Sequence, residues 1–356
     1  MRLWGQSFTR EQIYRHVGIE SQAFGIRTME YRQGDESLVK TYEVDTGAGL
    51  CFSVGENKGL DIYRLSYRGI NMGFMSKAGL HSPYNVEPAS EAFRYSQGCG
   101  MLYTAGLANV GGACRDAKGI YFPHGSIKNS AATNITACGF WDDDDYQMMI
   151  RGELREAEFY GRCLTLNRTI STQAGSKSLV IEDVIENRAF EDDEVMLLYH
   201  FNAGFPLLAE GVQMFAPVQS IEAATPRAAE MIQDYAVASA PVPMEEEYVY
   251  MIKMKCDEQG ISGSVLWNND MELGLFIRFD THVLNRFVEW KCMRAGDYAF
   301  GMLPANCYPF GREQAAKDNA WTVLKPFETM CACIEIGVLE GSDELRDFQA
   351  WIGSMQ

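Results

Sequence analysis

Two histidines lie in sequence contexts where an imidazole could act as a general acid or base. His200 follows the apolar residues 196–199 and precedes Phe201 and Asn202, so it is predicted near the end of a strand, where a turn opens. Histidine has the side-chain pKa closest to neutral pH, which suits proton transfer in either direction. A buried histidine bonded to the backbone gives the same local pattern, so the local sequence leaves both interpretations open.

His124 lies between Pro123 and Gly125, which predicts a turn and an exposed side chain. An exposed turn histidine is more often idle than catalytic, so its neighbours alone do not favour a chemical role. Lys128 and Asn129 follow it closely and are candidates for binding hydroxyl or acid groups.

Trp290 stands between Glu289 and Lys291 after a predicted strand. An indole face can cover the C–H face of a sugar ring while a carboxylate and an ammonium bind its hydroxyls. Taken alone, the segment fits the end of a surface strand better than a binding site. Arg94 and Arg312 could bind a carboxylate or a sugar oxygen, or could form structural ion pairs.

Several common site motifs are absent from the sequence. Residues 98–100 lack the third glycine of a phosphate-binding loop, and neither HExxH nor GxSxG occurs. None of the five histidines pairs with another at metal-ligand spacing, so we expect no metal and no cofactor.

The chain has 356 residues and a net charge of −17, which disfavours nucleic acid and anionic membranes as partners because both need a cationic surface. The acidic run 245–247 is expected to be a solvated loop. No signal peptide is evident, and ten scattered cysteines predict a cytoplasmic protein with reduced thiols. Cys331 and Cys333 are expected to share one strand face as core residues. The sequence leaves open whether the protein is a homodimer.

Short strands separated by Gly, Asn and Asp dominate the remainder of the chain. Strands are predicted over 164–170, 179–187, 248–254, 272–279 and 331–338. Helices are predicted over 8–17 with Thr9 as cap, over 223–232, and over 343–351 with Ser342 as N-cap. The pattern predicts an all-β sandwich or barrel in one domain, 1–356, with a helical lead-in at 1–20 and a C-terminal helix at 342–356.

An ordered series of segments resembles the galactose-mutarotase-like superfamily, and most closely its aldose 1-epimerase-like branch labelled as a domain of unknown function. The segments run along almost the whole chain: 47–50, 59–62, 100–107, 124–129, 152–157, 198–202, 289–291 and 304–307. The resemblance implies an antiparallel β-supersandwich with a few short peripheral helices, whose concave face binds a small-molecule carbohydrate.

The resemblance also implies a reaction. In mutarotases one histidine protonates the ring oxygen and a glutamate takes the anomeric hydroxyl proton, so that the ring opens and recloses. His200 resembles that acid, and His124 resembles a second sugar-contacting histidine. The family's glutamate is expected near residues 300–304, where Leu303 stands, and leucine cannot accept a proton. Glu289 is the alternative base.

Three functions remain open at this stage. The first is an isomerase of a free sugar or acidic sugar derivative, in which Arg94, Asn202, Lys291 and Arg312 hold substrate oxygens. The second is an epimerase or lyase acting beside a carbonyl, a reading motivated by Leu303. The third is a non-catalytic sugar-binding protein.

Overall fold

The computed structural model of the protein describes residues 1–85, 91–116 and 118–355. Its first twelve strands are β1 (Arg2–Leu3), β2 (Gln6–Ser7), β3 (Gly25–Glu30), β4 (Lys40–Asp45), β5 (Leu50–Gly55), β6 (Ile62–Tyr67), β7 (Ile70–Asn71), β8 (Leu102–Leu107), β9 (Cys114–Arg115), β10 (Ile120–Tyr121), β11 (Thr133–Asp142) and β12 (Asp145–Ala157). The strands that follow are β13 (Cys163–Gln173), β14 (Ser178–Asn187), β15 (Asp193–Ala203), β16 (Gln213–Phe215), β17 (Val218–Ala223), β18 (Tyr248–Met254), β19 (Ile261–Asn268), β20 (Leu273–Asp280), β21 (Arg286–Arg294), β22 (Asp297–Ala305), β23 (Thr322–Leu324) and β24 (Thr329–Glu340). The α-helices of the described residues are α1 (Arg10–Tyr14), α2 (Pro226–Glu230), α3 (Arg312–Asp318) and α4 (Ser342–Gly353).

Two large sheets build the molecule. One has eight strands in the order β11-β12-β13-β14-β24-β20-β19-β16, and the other runs β17-β18-β21-β22-β15-β23, with β8 also paired to β15. A five-stranded sheet, β3 to β7, follows chain order. Neighbouring strands of these sheets pair antiparallel. The antiparallel all-β prediction is therefore confirmed.

The main core joins the facing sides of the two large sheets. Successive side chains of a strand point to opposite faces, so β15 contributes Tyr199 and Phe201 to this core. Its residues Met196 and Leu198 enter a second apolar cluster on the other side. We call the side of the seven-stranded sheet that packs into the main core its inner face, and the opposite side its outer face.

A buried ion-pair network fixes the inner face where β8 meets β15. Arg168 donates to both Asp183 oxygens at 2.9 and 2.7 Å, to Asp61 at 2.8 Å and to the Thr104 hydroxyl at 2.8 Å. The Tyr199 hydroxyl donates to Asp183 at 2.6 Å. Thr104 and Tyr199 are partners across the two strands, so the network also fixes the orientation of the residues beside them on the outer face.

Helix predictions agree with the structure in position and differ at the ends. Thr9 caps α1 as predicted, with its side chain accepting from the Gln12 backbone. The predicted helix 223–232 is shorter, because Thr225 caps α2 directly before Pro226. Ser342 is the first residue of α4 and Gly341 occupies the N-cap, so the predicted cap is wrong by one residue. Among the described residues, no helix has the length and apolarity needed to cross a membrane.

The cysteine prediction for β24 is wrong in one respect. Cys331 and Cys333 do share a face, but both are exposed, because Met330, Ala332 and Ile334 supply the core side of the strand. All ten cysteines are free thiols.

Candidate functional site

His200 sits on the outer face between two aromatic side chains. Tyr103 on β8 is its direct cross-strand partner, and the two rings stack at 4.5 Å with an interplanar angle of 20°. The Trp290 ring meets the imidazole edge-on at 5.3 Å. Gly301 lies between Trp290 and β15 in the sheet, and a Cβ there would lie 2.7 Å from the Leu303 side chain and 3.3 Å from Trp290 Cβ, so glycine leaves room for both residues. The imidazole is thereby held in one orientation.

Burial controls the protonation of His200. The side chain is 8% exposed, and burial lowers its pKa to about 3, so the imidazole is neutral at neutral pH. Its Nδ1 and the Oδ1 of Asn202 are both buried, and neither makes a hydrogen bond of standard geometry within the described residues. Because Nδ1 is enclosed beside Asn202, Nε2 is the nitrogen left for a ligand.

His124 approaches the same tyrosine from the other side, with its ring 6.1 Å from that of Tyr103. The turn prediction is correct, but the side chain is partly buried rather than exposed. Its backbone is left-handed (φ 55°), and its NH donates to Gly111 O at 2.8 Å. Gly125 is the next residue. A Cβ at this position would lie 1.9 Å from Gly106 O, so only glycine fits. Burial, and then the charge of Lys128, holds the His124 pKa well below its usual range.

Lys128 completes a group that we call the Tyr103 cluster: Tyr103, His124, Lys128, His200 and Trp290. The Lys128 ammonium lies 5.8 Å from the Tyr103 ring centroid and 5.2 Å from that of Phe93. It lies in the short 3-10 helix Ile127–Asn129, directly after the His124 turn. The cluster therefore combines two neutral imidazoles, two aromatic faces and one cation.

Glu289 and Lys291 belong to the other side of the sheet. Alternation along β21 sends Trp290 to the outer face and its two neighbours to the inner face, where Phe287 and Met293 join the main core. Lys291 donates to Asp234 O at 2.7 Å and Val237 O at 3.1 Å. Burial raises the pKa of Glu289 well above its usual range, which disfavours its carboxylate form, while the Lys291 ammonium 3.9 Å from Oε1 acts in the other direction. The structure thus does not bring Glu289 to His200 as a base, nor Lys291 as a substrate ligand.

The remaining predicted ligands differ in position. Arg312 is buried at the start of α3, where it donates to Ala108 O at 2.6 Å and to Glu194 at 2.9 Å, so its guanidinium serves the fold. Asn202 is fully buried and donates to Gly100 O and His200 O, which fixes the end of β15. Arg94 is exposed on the 3-10 helix Glu91–Tyr95, beside the cluster: Phe93 of that helix lies 6.4 Å from the His124 ring.

Leu303 and Glu247 bear on whether a carboxylate lies near His200. The register of β22 on β15 sets Leu303 beside His200, and Leu303 packs with Tyr103 and Val288 on the outer face. The side chain beside His200 on β22 is therefore apolar. Glu247 is exposed, and its Oε2 accepts from the Trp290 indole at 2.7 Å.

Sequence reasoning missed Tyr103, Lys58 and Glu247. Tyr103 is the aromatic residue within an otherwise small and apolar strand, a signal that could have been used. Lys58 lies in a polar turn and Glu247 in an acidic run, and neither context distinguishes a site residue from a solvated one. Within the described part of the chain, no group of three His, Cys, Asp or Glu residues is placed to hold a metal ion.

The chain is similar to one family model and to several solved structures. A family model described as a domain of unknown function, DUF4432, matches residues 36–338. The crystal structure of a "putative aldose 1-epimerase" from Klebsiella pneumoniae is 22% identical, with 95% of this chain and 90% of that chain covered and a TM-score of 0.87. No curated protein matches the sequence significantly.

Two further solved structures share the architecture. A galactose mutarotase-like protein from Clostridium acetobutylicum is 15% identical over 90% of this chain and 99% of that chain, with a TM-score of 0.63. Galactose 1-epimerase from Lactobacillus acidophilus is 13% identical over 89% and 99%, with a TM-score of 0.55. At these identities the likeness shows the fold alone. The chain therefore belongs to the DUF4432 family and has the galactose-mutarotase-like fold.

Proposed function

We propose that the protein binds a sugar at the Tyr103 cluster and interconverts its anomers by histidine-assisted ring opening. The observation that carries this proposal is the neutral imidazole of His200, held between Tyr103 and Trp290 with Nε2 uncommitted. Aromatic faces suit the C–H faces of a pyranose, and a preoriented imidazole suits transfer of a single proton. The fold shared with galactose 1-epimerase supports the same substrate class.

The proposed chemistry needs one proton delivered and one removed. Because the imidazole is neutral in the free protein, His200 must first gain a proton at Nε2. The imidazolium then donates that proton to the ring oxygen while a base takes the proton of the anomeric hydroxyl, and the bond between C1 and the ring oxygen breaks. Rotation about C1–C2 and the reverse transfers close the ring as the other anomer, with no net gain or loss of protons. Two residues are candidates for the base. His124 is the second imidazole at the cluster, and Glu247 is the carboxylate hydrogen-bonded to Trp290. Arg94, on the 3-10 helix beside the cluster, is the proposed ligand for substrate oxygens.

Anomer exchange is measured directly by two-dimensional exchange NMR on a panel of neutral aldoses and uronates. We expect wild-type protein to accelerate exchange of at least one sugar, and His200→Gln to reduce that rate about a hundredfold or more. His16→Gln is the matched control, because His16 is exposed on the turn after α1. Binding of a sugar without faster exchange in the wild-type protein would rule out the isomerase.

Leu303 supports a second candidate on the same site. With an apolar side chain beside His200, the base sits elsewhere than in mutarotases, which favours removal of a C–H proton next to a carbonyl. Mutarotation exchanges no C–H proton, so deuterium incorporated from solvent at a ring carbon would identify this epimerase or lyase. If the protein only binds sugar, His200→Ala weakens binding modestly and no turnover is seen.

A further inference from the structure

Two lysines are buried close to the Tyr103 cluster without an acidic partner. Lys58 and Lys128 are each 6% exposed. Lys58 donates to the Asn129 side-chain oxygen at 2.9 Å, and Lys128 donates to Pro123 O at 2.9 Å. These acceptors are neutral, and within the described ranges neither ammonium forms an ion pair. Burial lowers the pKa of each lysine to about 8, so both remain largely charged at neutral pH.

The carboxylates in this region are already committed. Asp61 lines a small cavity together with both lysines, but it accepts from Arg168 at 2.8 Å and from the Thr104 backbone at 2.9 Å. Glu156, which also acts electrostatically on Lys128, accepts from the Leu107 backbone at 2.7 Å. Arg168 is shared between Asp61 and Asp183, two acids for one cation. Adding the two lysines and Glu156 gives three cations and three acids, but each of these carboxylates accepts from another group, and neither ammonium is within ion-pair distance of one.

A small cavity is shared by these lysines and Tyr103. It is lined by both lysines, Asn129, Tyr63, Gln97 and Tyr103, and its volume is about 20 Å³. That volume holds roughly one water-sized group. Tyr103 lines the cavity and also stacks on His200, which does not itself line the cavity. A ligand that contacts both His200 and the lysines would therefore have to reach around this tyrosine.

We propose that Lys58 and Lys128 bind the carboxylate of an acidic sugar, which makes a uronate-type aldose the substrate class of this site. The inference rests on the proposed function. An ammonium has three N–H donors; each lysine uses one, and the two left on each match the roughly four lone-pair positions of a carboxylate. The small cavity favours a carboxylate over the larger phosphate and sulfonate groups.

Calorimetric titration tests the proposal with paired ligands: glucuronate, galacturonate and mannuronate, each against its neutral parent aldose and its 6-phosphate. Acetate, at constant ionic strength with chloride as reference, is a probe free of sugar stereochemistry, read as a thermal shift. The variants are Lys58→Met and Lys128→Met. Lys325→Met removes the same charge from the exposed turn before β24 and serves as the control.

We expect at least one uronate to bind wild-type protein tenfold or more tightly than its neutral parent, and acetate to raise the melting temperature. Both effects should disappear in the two lysine variants and persist in Lys325→Met. Equal affinity for neutral sugars, tighter binding of the 6-phosphates, or a uronate preference that survives both variants would overturn the proposal, as would no response to either uronates or acetate. Anomer exchange of neutral aldoses with no anion effect would refute this inference alone. Uronate binding that needs the lysines, without exchange, would refute the isomerase alone.

Discussion

Two buried polar regions lie back to back on the seven-stranded sheet and differ in how their charges are satisfied. On the inner face, Arg168 spreads its donors over Asp61, Asp183 and Thr104, and Tyr199 completes the network. On the outer face, the buried polar groups keep unused capacity: the two histidines each have a buried Nδ1 without a partner, and Lys58 and Lys128 each make one hydrogen bond.

The difference distinguishes buried charges that stabilise the fold from buried groups that are available to a ligand. A buried charge is costly unless it is paired and hydrogen-bonded, so a complete network can persist as part of the fold. A buried group with spare donors carries a cost that a ligand of complementary charge could offset. Glu289 is the exception on the inner face, since neither of its oxygens accepts a hydrogen bond from the described residues and the Lys291 ammonium lies 3.9 Å from Oε1. Burial raises the pKa of Glu289, which disfavours its charged form.

The largest effect is expected from breaking the inner network. Arg168→Met leaves Asp61 and Asp183 buried without their cation, and it should lower the free energy of unfolding by about 3–5 kcal/mol, measured by urea denaturation. Lys77→Met, which removes a largely exposed partner of Asp297, should cost under about 1 kcal/mol. Equal losses in the two variants would show that the network contributes no more than a surface pair.

The next effect is the acid sensitivity of the outer face. His200 binds a proton near pH 3 when folded and near pH 6.5 when unfolded, so protons favour unfolding between these values. Stability present above pH 6.5 is therefore lost as the pH falls, by about 2 kcal/mol at pH 5. His200→Gln should lack this loss when denaturation is compared at pH 7 and pH 5. Parallel losses in variant and wild type would mean that His200 is protonated in the folded state.

Lys128 provides a further effect of the same sign at higher pH. Its pKa of about 8 in the folded state lies below the ordinary value near 10.4, so the wild-type protein gains stability as the pH rises from 8 to 10.4. At pH 7 this shift costs the wild-type protein about 3 kcal/mol, and Lys128→Met removes that cost but also loses the hydrogen bond to Pro123 O, worth about 1–1.5 kcal/mol. The variant should therefore be more stable than wild type by about 1–2 kcal/mol at pH 7, and the gap should narrow towards pH 10. A variant that is less stable at pH 7 would show that the ammonium is satisfied in the free protein.

Glu289 should give the smallest effect. Glu289→Gln puts a neutral amide of similar shape in place of a carboxyl whose charged form burial disfavours, so stability should change by less than about 1 kcal/mol and anomer exchange should be unchanged. Glu247→Gln is the comparison on the outer face, where the carboxylate contacts Trp290. Loss of exchange in Glu289→Gln, with Glu247→Gln unaffected, would restore the base that the sequence suggested.

The sequence predicted the strands well because their alternation is local. The predicted strand 248–254 coincides with β18, and 179–187 falls within β14. Register across strands is not local: only the pairing of β8 with β15 brings Tyr103 against His200, residues almost a hundred positions apart. The resemblance to the family pointed to His200 and His124. The aromatic Tyr103 stands out along β8, but its stacking on His200 follows only from the pairing of the two strands.

The face on which a residue lies explains the failures at the site. Glu289, Trp290 and Lys291 read as one polar group along the chain, yet the two-residue period of β21 divides them between opposite faces. From the sequence, Arg312 could bind substrate or form a structural ion pair. Its hydrogen bonds to Glu194 and to the Ala108 carbonyl join residues more than a hundred positions apart, so the sequence does not show them.

A crystal structure with the sugar or uronate that binds most tightly is the most direct test of the central claim, which is that His200 contacts the reacting atoms. We predict the sugar ring against Trp290, a ring or anomeric oxygen within about 3.2 Å of His200 Nε2, and any carboxylate between Lys58 and Lys128. A sugar bound away from the outer face at Tyr103, with no oxygen in reach of His200, would contradict the account.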